Sequence, residues 1–394
     1  MKKAPFLFLS LVPCLSHGQQ WTRFAETASA WKLAVSGDYV FVGTQRVVGT
    51  SPAGDVFRFT GNGEEWTIIG GQATIALAAY GPYLYHVRYL SGTARYSIDS
   101  GGAWKGMAID TRNVQGFGAV GPYIFAGTSD SGIYRSPDYG DTWAKANAGL
   151  TNLNVLSFGV LGRMLFVGTG GGIFRSTDSG NTWIAANSGV GPSAFAVIGD
   201  WLFAGTRGAG VYRSSDSGET WSQVNTGFLN NWARQIFALT AYGIHLFAGT
   251  QDGVYYTSDS GNSWTRILSS EARDLAVNGP YLFVAAQYVY SMRLSDLISV
   301  TVRPRHATDF DMNSRFRVGI GPGRKITFRI GKKEHVRLAV YDAFGNQVSV
   351  PVNSVLAPGT YETTMDGTGL PPGLNFLHLQ AGEAGHTAKV VFQK

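Results

Sequence analysis

The sequence predicts an all-β chain: a seven-bladed β-propeller followed by a small immunoglobulin-like β-sandwich. One eight-residue motif recurs seven times, a hairpin motif ending in Trp follows most of its copies, and the repeat stops near residue 300. Gly is in excess at 52 of 394 residues, and charged residues make up only 15%. Tight turns joining aromatic, half-buried strands produce such a composition. The length leaves room for two or three domains.

The recurring motif reads GDYVFVGT from Gly37, GPYLYHVR from Gly81, GPYIFAGT from Gly121 and GRMLFVGT from Gly162. It continues with GDWLFAGT from Gly199, GIHLFAGT from Gly243 and GPYLFVAA from Gly279, at spacings of 36 to 44 residues. That period matches a four-stranded blade. A turn glycine followed by apolar residues at period two is a strand. The blade around Gly199 is therefore expected to hold an inner strand from Ser193 to Ile198 and a second from Leu202 to Thr206. A third runs from Gly210 to Ser214, and an outer strand starts at Trp221.

A second motif sits between the third and outer strands. It reads SIDSGGAW from Ser97, SPDYGDTW from Ser136, STDSGNTW from Ser176, SSDSGETW from Ser214 and TSDSGNSW from Thr257. A degenerate copy starts at Phe59, with Gly61 in place of the Asp. The five good copies resemble the Asp-box, or bacterial neuraminidase repeat, with Asp99, Asp138, Asp178, Asp216 and Asp259 as its aspartates. Their tryptophans are Trp104, Trp143, Trp183, Trp221 and Trp264. The carboxylate is expected to accept N–H bonds across the hairpin, the Gly to supply a positive φ, and the Trp to pack between blades.

Seven inner strands can be placed, but the last blade meets no such Trp. Trp21-Thr22-Arg23-Phe24, ahead of the first inner strand, reads like the outer strands that start at Trp66, Trp143 and Trp264. The N-terminal segment is thus expected to close the ring through Trp21, removing the open edges.

Residues 1–18 read as a signal peptide: Lys2 and Lys3, an apolar stretch from Pro5 to Leu15, and small Ser16 and Gly18 before a cut at Gln19. Cys14, the only cysteine, lies within it, so the processed chain has no thiol for disulfides, metal sites or nucleophilic chemistry. Pro13 stands where a lipoprotein box carries a small residue. The propeller is assigned to 19–300, a linker and the start of the next domain to 301–318, and the sandwich to 319–394. The net charge of +6 is unevenly spread, since residues 19–300 hold 18 Lys/Arg against 19 Asp/Glu. A neutral main domain offers no electrostatic footprint for nucleic acid.

The tail segments VRLAVYDAFGNQV from Val336, LAPGTYETTMDG from Leu356, LPPGLNFLHLQAG from Leu370 and the ending AKVVFQK alternate between Gly/Pro turns, as in a β-sandwich. They resemble the type A C-terminal sorting domain of type IX secretion substrates. The resemblance implies export through that machinery by residues 308–394, including the terminal Lys394. The chain departs from that pattern at Met365, at Asn375 and at Asn313-Ser314-Arg315-Phe316.

Chemistry is harder to place. Catalytic residues do not recur once per blade, so the hairpin aspartates read as structural. Arg135, Arg175 and Arg213 suggest a carboxylate-binding triad, but they share one position on the third strand of successive blades, and repetition explains them better. The Arg-Ile-Pro signature of sialidases is absent, and no Tyr/Glu pair compels a nucleophile assignment. The seven histidines are scattered without metal-ligand spacing, and no cofactor motif stands out. His86, His245 and His378 fall in strands. The hairpins share one uniform face with the motif turns, while the opposite face carries the variable loops, Gln45 to Asp55 and Thr226 to Gln235. Variable loops on a rigid frame are the default binding surface. Phe228, Asn230, Asn231, Trp232 and Arg234 are the candidate ligand contacts, although Phe228 and Trp232 also fit a plug between two blades. The expected function is a secreted or cell-surface, non-enzymatic propeller that binds an extracellular glycan or protein. The alternatives are a glycoside hydrolase, sialidase-like or glucan-cleaving, and an assembly factor resembling the propellers of photosystem biogenesis.

Overall fold

The computed structural model describes residues 10–13, 20–24, 29–48, 51–60, 66–71, 73–89, 93–109, 113–297, 303–304, 319–321, 325–330, 332–341, 347–364, 373–381 and 384–392. They divide into two compact units, Met1–Asp296 and Leu297–Lys394.

The first unit is a seven-bladed propeller. Its inner strands are Ala30–Ser36, Thr74–Tyr80, Val114–Val120, Val155–Leu161, Pro192–Ile198, Ile236–Tyr242 and Asp274–Asn278. Each pairs antiparallel with the strand of its glycine motif, and two further strands complete each blade. The seven motif glycines turn with φ between +53° and +61°, a region closed to most side chains. One aromatic residue of every second strand is fully buried: Phe41, Tyr85, Phe125, Phe166, Phe203, Phe247 and Phe283. These rings sit in clusters shared by neighbouring blades, such as Phe125 with Val155 and Trp183. The core of the unit is therefore the set of seams between blades, and each blade depends on its neighbours.

The blade around Gly199 runs Pro192–Ile198, Trp201–Thr206, Gly210–Ser214 and Ser222–Gln223. Trp221 lies just ahead of its outer strand, which is only two residues long. Six inner strands carry a bulge after their first residue, and the extra residues are Trp31, Ile75, Gln115, Leu156, Ser193 and Phe237. Bulges of this kind re-aim a side chain, here at the variable-loop end of each inner strand.

The last blade takes its outer strand from the N-terminal segment. Gln20–Phe24 runs antiparallel to Val289–Arg293, with Trp21 opposite Met292 and Phe24 opposite Val289. Trp21 is fully buried, and its indole N–H donates to the Ile267 carbonyl of the preceding blade at 3.1 Å. Phe24 packs with Phe59 and Phe283, joining the first and last blades. Within the expected signal peptide, Ser10–Pro13 pairs as a fifth strand outside Gln20–Phe24. Cys14, the rest of the expected cleavage region, the Gly61 turn, Asn313–Phe316, Met365 and Lys394 lie outside the described residues.

The second unit holds two four-stranded antiparallel sheets. One orders Arg303–Pro304, Gly359–Thr364, Lys325–Ile330 and Gly319–Gly321, so the expected linker contributes a strand. The other orders Gln347–Leu356, Glu334–Tyr341, Gly373–Ala381 and Ala384–Phe392. Phe328, Ile330, Val336, Leu338 and Leu379 are buried in them. Asn375 lies in the third of these strands, opposite Val390.

Candidate functional site

The Asp hairpins form one face, and their bonding accounts for the residues at each position. In the Ser136 copy, the Ser136 hydroxyl donates to Asp138 at 2.7 Å and accepts the Gly140 N–H at 2.7 Å. Asp138 also accepts the Thr142 N–H at 2.8 Å and the Thr142 hydroxyl at 2.5 Å. The Ser176, Ser214 and Thr257 copies repeat this network. A positive φ is found at the hairpin glycines and also at the residue before each: Ser100, Tyr139, Ser179, Ser217 and Ser260, at 56° to 59°.

That left-handed residue turns its carbonyl toward the preceding blade, where an arginine waits. Arg135 donates to Ser179 O at 2.9 Å, Arg175 to Ser217 O at 3.2 Å and Arg213 to Ser260 O at 2.6 Å. Arg58 does the same to Ser100 O at 3.1 Å. Arg135 and Arg213 add a hydrogen bond to Asn181 and Asn262, and Arg175 an ion pair with Glu219. The guanidiniums of Arg58, Arg135 and Arg213 also stack on Tyr39, Tyr123 and Trp201. The three regular arginines therefore clamp blade to blade.

One junction departs from this scheme. In the second blade, Arg95 lies over Trp104 and donates to His86 Nδ1 at 3.0 Å. The Tyr85 hydroxyl takes over the contact to Tyr139 O at 3.0 Å, and Tyr83 stacks on Tyr139. Burial first, then the Arg95 and Arg88 charges, push His86 down to about 3, so its ring is neutral. With Nδ1 accepting, Nε2 carries the proton and donates to the Thr74 hydroxyl at 3.1 Å. His245 instead bonds the Tyr256 hydroxyl at 2.8 Å. His378 sits mid-strand, opposite Ala339 and Thr387.

Hydrogen bonds from the Thr side chain and backbone hold Asp138, Asp178 and Asp216 down at about 2, against an ordinary carboxyl near 3.8. A carboxyl depressed by folding adds stability above its unfolded pKa and loses it as pH falls through the folded value. Melting temperature is therefore expected to fall steeply from about pH 4 to about pH 2. An Asp138→Asn, Asp178→Asn, Asp216→Asn variant should melt lower at neutral pH and show a shallower slope, the remainder coming from Asp99, Asp141, Asp252 and Asp259, which are also held low. The same slope in the variant would place its source elsewhere.

The Trp positions differ among themselves. The Trp183, Trp264 and Trp104 indoles donate to Ala146 O, Val224 O and Ile69 O of the preceding blade at 2.8, 2.8 and 3.0 Å. Trp143 and Trp221 instead donate within their own hairpins, to Gly140 O and Gly218 O. Both still pack between blades as expected, Trp143 with Tyr85 and Phe117 and Trp221 with Phe166 and Leu202, so only the hydrogen bond across the seam is missing at these two.

On the opposite face, Thr226 to Gln235 leaves the outer strand of the fifth blade and crosses to the sixth. Phe228 is 8% exposed and lies on Trp264, ring centroids 5.1 Å apart, with Tyr255 edge-on at 4.9 Å. It is a plug, and its place among the candidate contacts is corrected. The signal was in the sequence, because Asn225-Thr226-Gly227-Phe228 repeats Asn147-Ala148-Gly149-Leu150, and Leu150 packs in the Trp183 cluster. Asn230 caps the loop by accepting the Ala233 N–H at 2.9 Å. Asn231 and Arg234 are exposed, Trp232 is 59% exposed and the neighbouring Leu229 64%.

The Arg207 loop joins this segment through a bridge to Gln235, and Arg207 lies over the bulged Phe237 at 5.7 Å. Arg273 lies over the bulged Trp31 at 4.9 Å. The local acids are engaged: Asp252 with Arg266 and the Tyr255 hydroxyl, Glu271 with Arg273, Asp274 with Lys32 and the Leu33 N–H. Burial raises Asp252, but bonds from Tyr255, Asn230 and Arg266 outweigh it and hold the carboxyl below its usual range. Arg207 and Arg234 make no ion pair among the described residues. The Gln45 to Asp55 loop folds back as a small hairpin, Arg46–Val48 against Ser51–Ala53.

No family model and no curated protein matches the chain. Solved structures do. The extracellular domain of the hybrid two-component system BT4673 from B. thetaiotaomicron matches with TM-score 0.57 at 13% identity, over 95% of this chain and 58% of that one. YCF48 bound to D1 peptide matches with TM-score 0.53 at 13% identity, over 72% of this chain and 97% of that one. The GH74 xyloglucanase from Xanthomonas campestris matches with TM-score 0.52 at 16% identity, over 82% of this chain and 57% of that one. Identities this low speak to the β-propeller fold alone. No helix among the described residues is long and apolar enough to cross a membrane, and no group of His, Cys, Asp or Glu there is arranged for a metal ion.

Proposed function

We propose that the chain is a secreted or cell-surface binding propeller that captures an extended protein segment on its variable-loop face. The observation that carries this reading is the exposed Trp232 and Leu229 beside Arg207 and Arg234, which make no ion pair among the described residues, on loops joined by the Arg207–Gln235 bridge. Apolar anchors with arginines on the same loops suit a peptide with apolar and acidic residues. A propeller of the same fold, YCF48, has a peptide bound, which makes this mode physically reasonable. A non-enzymatic role is favoured because the described carboxyls that shift do so downward, opposite to a general acid. The test is a peptide and glycan array run beside a panel of glycoside hydrolase substrates. Capture of acidic, apolar peptides without turnover is the expected result, and turnover of any substrate would overturn the non-enzymatic reading.

In this proposal residues 1–18 direct export from the cytoplasm, the five hairpins act as Asp-boxes, and residues 308–394 are the address for type IX secretion. A chain ending before Val302 should then fold but accumulate in the periplasm of a host with that machinery. Its normal appearance outside the cell would remove the tail from the export role.

A further inference from the structure

Three blade junctions share the sequence Asn-x-Gly followed by an apolar residue: Asn147–Leu150, Asn187–Val190 and Asn225–Phe228. In the first and third, the Asn side chain accepts a third-strand N–H, Ile133 at 2.7 Å and Val211 at 2.8 Å. The next Trp then donates its backbone N–H to the turn, Trp183 to Ala148 O and Trp264 to Thr226 O, both at 2.8 Å. The fit is so close that a Cβ on Gly149 or Gly227 would lie 2.1 Å from that Trp carbonyl. Both tryptophans are buried.

The middle junction has the same residues but does not close. The outer strand Ile184–Ser188 stays paired, with Asn187 opposite Ile173 and Ser188 opposite Gly172. Gly189 keeps the same left-handed φ of 88°, yet a Cβ there would meet nothing within 4 Å. Trp221 receives no cover from this segment, remains half-buried, and turns its indole N–H to Gly218 O of its own hairpin at 3.1 Å. The result is an open groove of about 430 Å³ between the fourth and fifth blades, lined by Ala185, Ala186, Asn187, Glu219 and Trp221.

We infer that this groove binds a neutral pyranose ring of a glycan. Indole carbon offers an apolar platform for the C–H face of a sugar. The Asn187 amide, released from the bond its counterparts make, supplies both a donor and an acceptor for hydroxyl groups. Glu219 supplies an acceptor held in place by Arg175. That ion pair also sets the charge of the ligand: an anion meets the carboxylate, and a cation must displace Arg175. Small Ala185 and Ala186 leave room for the ring. The site lies on the outer rim, separate from the variable-loop face, and stands whether or not that face binds a peptide.

The experiment is calorimetric titration of the full chain with neutral gluco-, galacto-, manno- and xylo-oligosaccharides, with Trp fluorescence followed in parallel. At least one series should bind. Asn187→Ala and Glu219→Gln should each weaken that binding about tenfold or more with little change in melting temperature. Ala185→Trp, which fills the groove from an exposed position, should abolish it, and Trp232→Ala should leave it unchanged. Failure of all four series at millimolar sugar would overturn the assignment, as would binding that survives Ala185→Trp or a preference for acidic sugars. Because Trp232 and Arg234 play no part here, failure of the peptide face would leave these outcomes untouched.

Discussion

Replacing Phe228 with alanine is expected to cost about 3–5 kcal/mol of stability, while replacing Trp232 should cost within about 0.5 kcal/mol. The two residues lie four apart in one loop and look equally aromatic in the sequence. Phe228 stacks on Trp264 and meets Tyr255 edge-on, so its removal leaves a cavity between the fifth and sixth blades. Trp232 is mostly in solvent, and its loss deletes little packing. Urea unfolding of both variants checks the pair. A large loss for Trp232→Ala would make it a second plug and remove the strongest support for the peptide-binding face.

The second large effect concerns ring closure. A chain that lacks Gln20–Phe24 should fail to fold stably or should associate through its open edge. The last blade would lose the pairing to Val289–Arg293 and the Trp21 bond to Ile267 O. It would also lose two fully buried aromatic side chains, each worth about 3–5 kcal/mol in a core. A total of that size rivals the whole stability of an ordinary domain. Since outright deletion risks aggregation, Phe24→Ala provides a graded version, expected to remain folded with a clearly lower melting temperature. An unchanged melting temperature in both would mean that the segment does not close the ring.

The blades were legible because their signals are local: a left-handed glycine, a period-two strand and a Trp hairpin at a fixed offset. Trp21 was legible by counting, since a seventh outer strand had to come from somewhere. The arginine clamps were visible only as a periodicity, because their acceptors lie in the next blade, beyond any short-range pattern. The left-handed residue before each hairpin glycine, Ser in four copies and Tyr139 in the fifth, gave no sign, as such side chains normally avoid that region. In the loop after Thr226 the sequence left Phe228 and Trp232 open between plug and contact; the plug holds for Phe228, whose Asn-x-Gly-Phe start repeats the earlier Asn147–Leu150 turn, and not for the exposed Trp232. The open junction at Asn187 could not be read at all: three near-identical turns pack in two ways, told apart by the Asn side-chain bonds, the strand pairing and the space around the glycine.

The peptide-binding reading is tested most directly by the affinity of the best array peptide for three proteins: the native chain, Trp232→Ala and Arg234→Glu. Both variants should keep the native melting temperature and weaken binding by about tenfold or more, as expected for a central contact. Raised salt should weaken the native interaction through its arginine share. Undiminished affinity in both stable variants would contradict the assignment of binding to the variable-loop face.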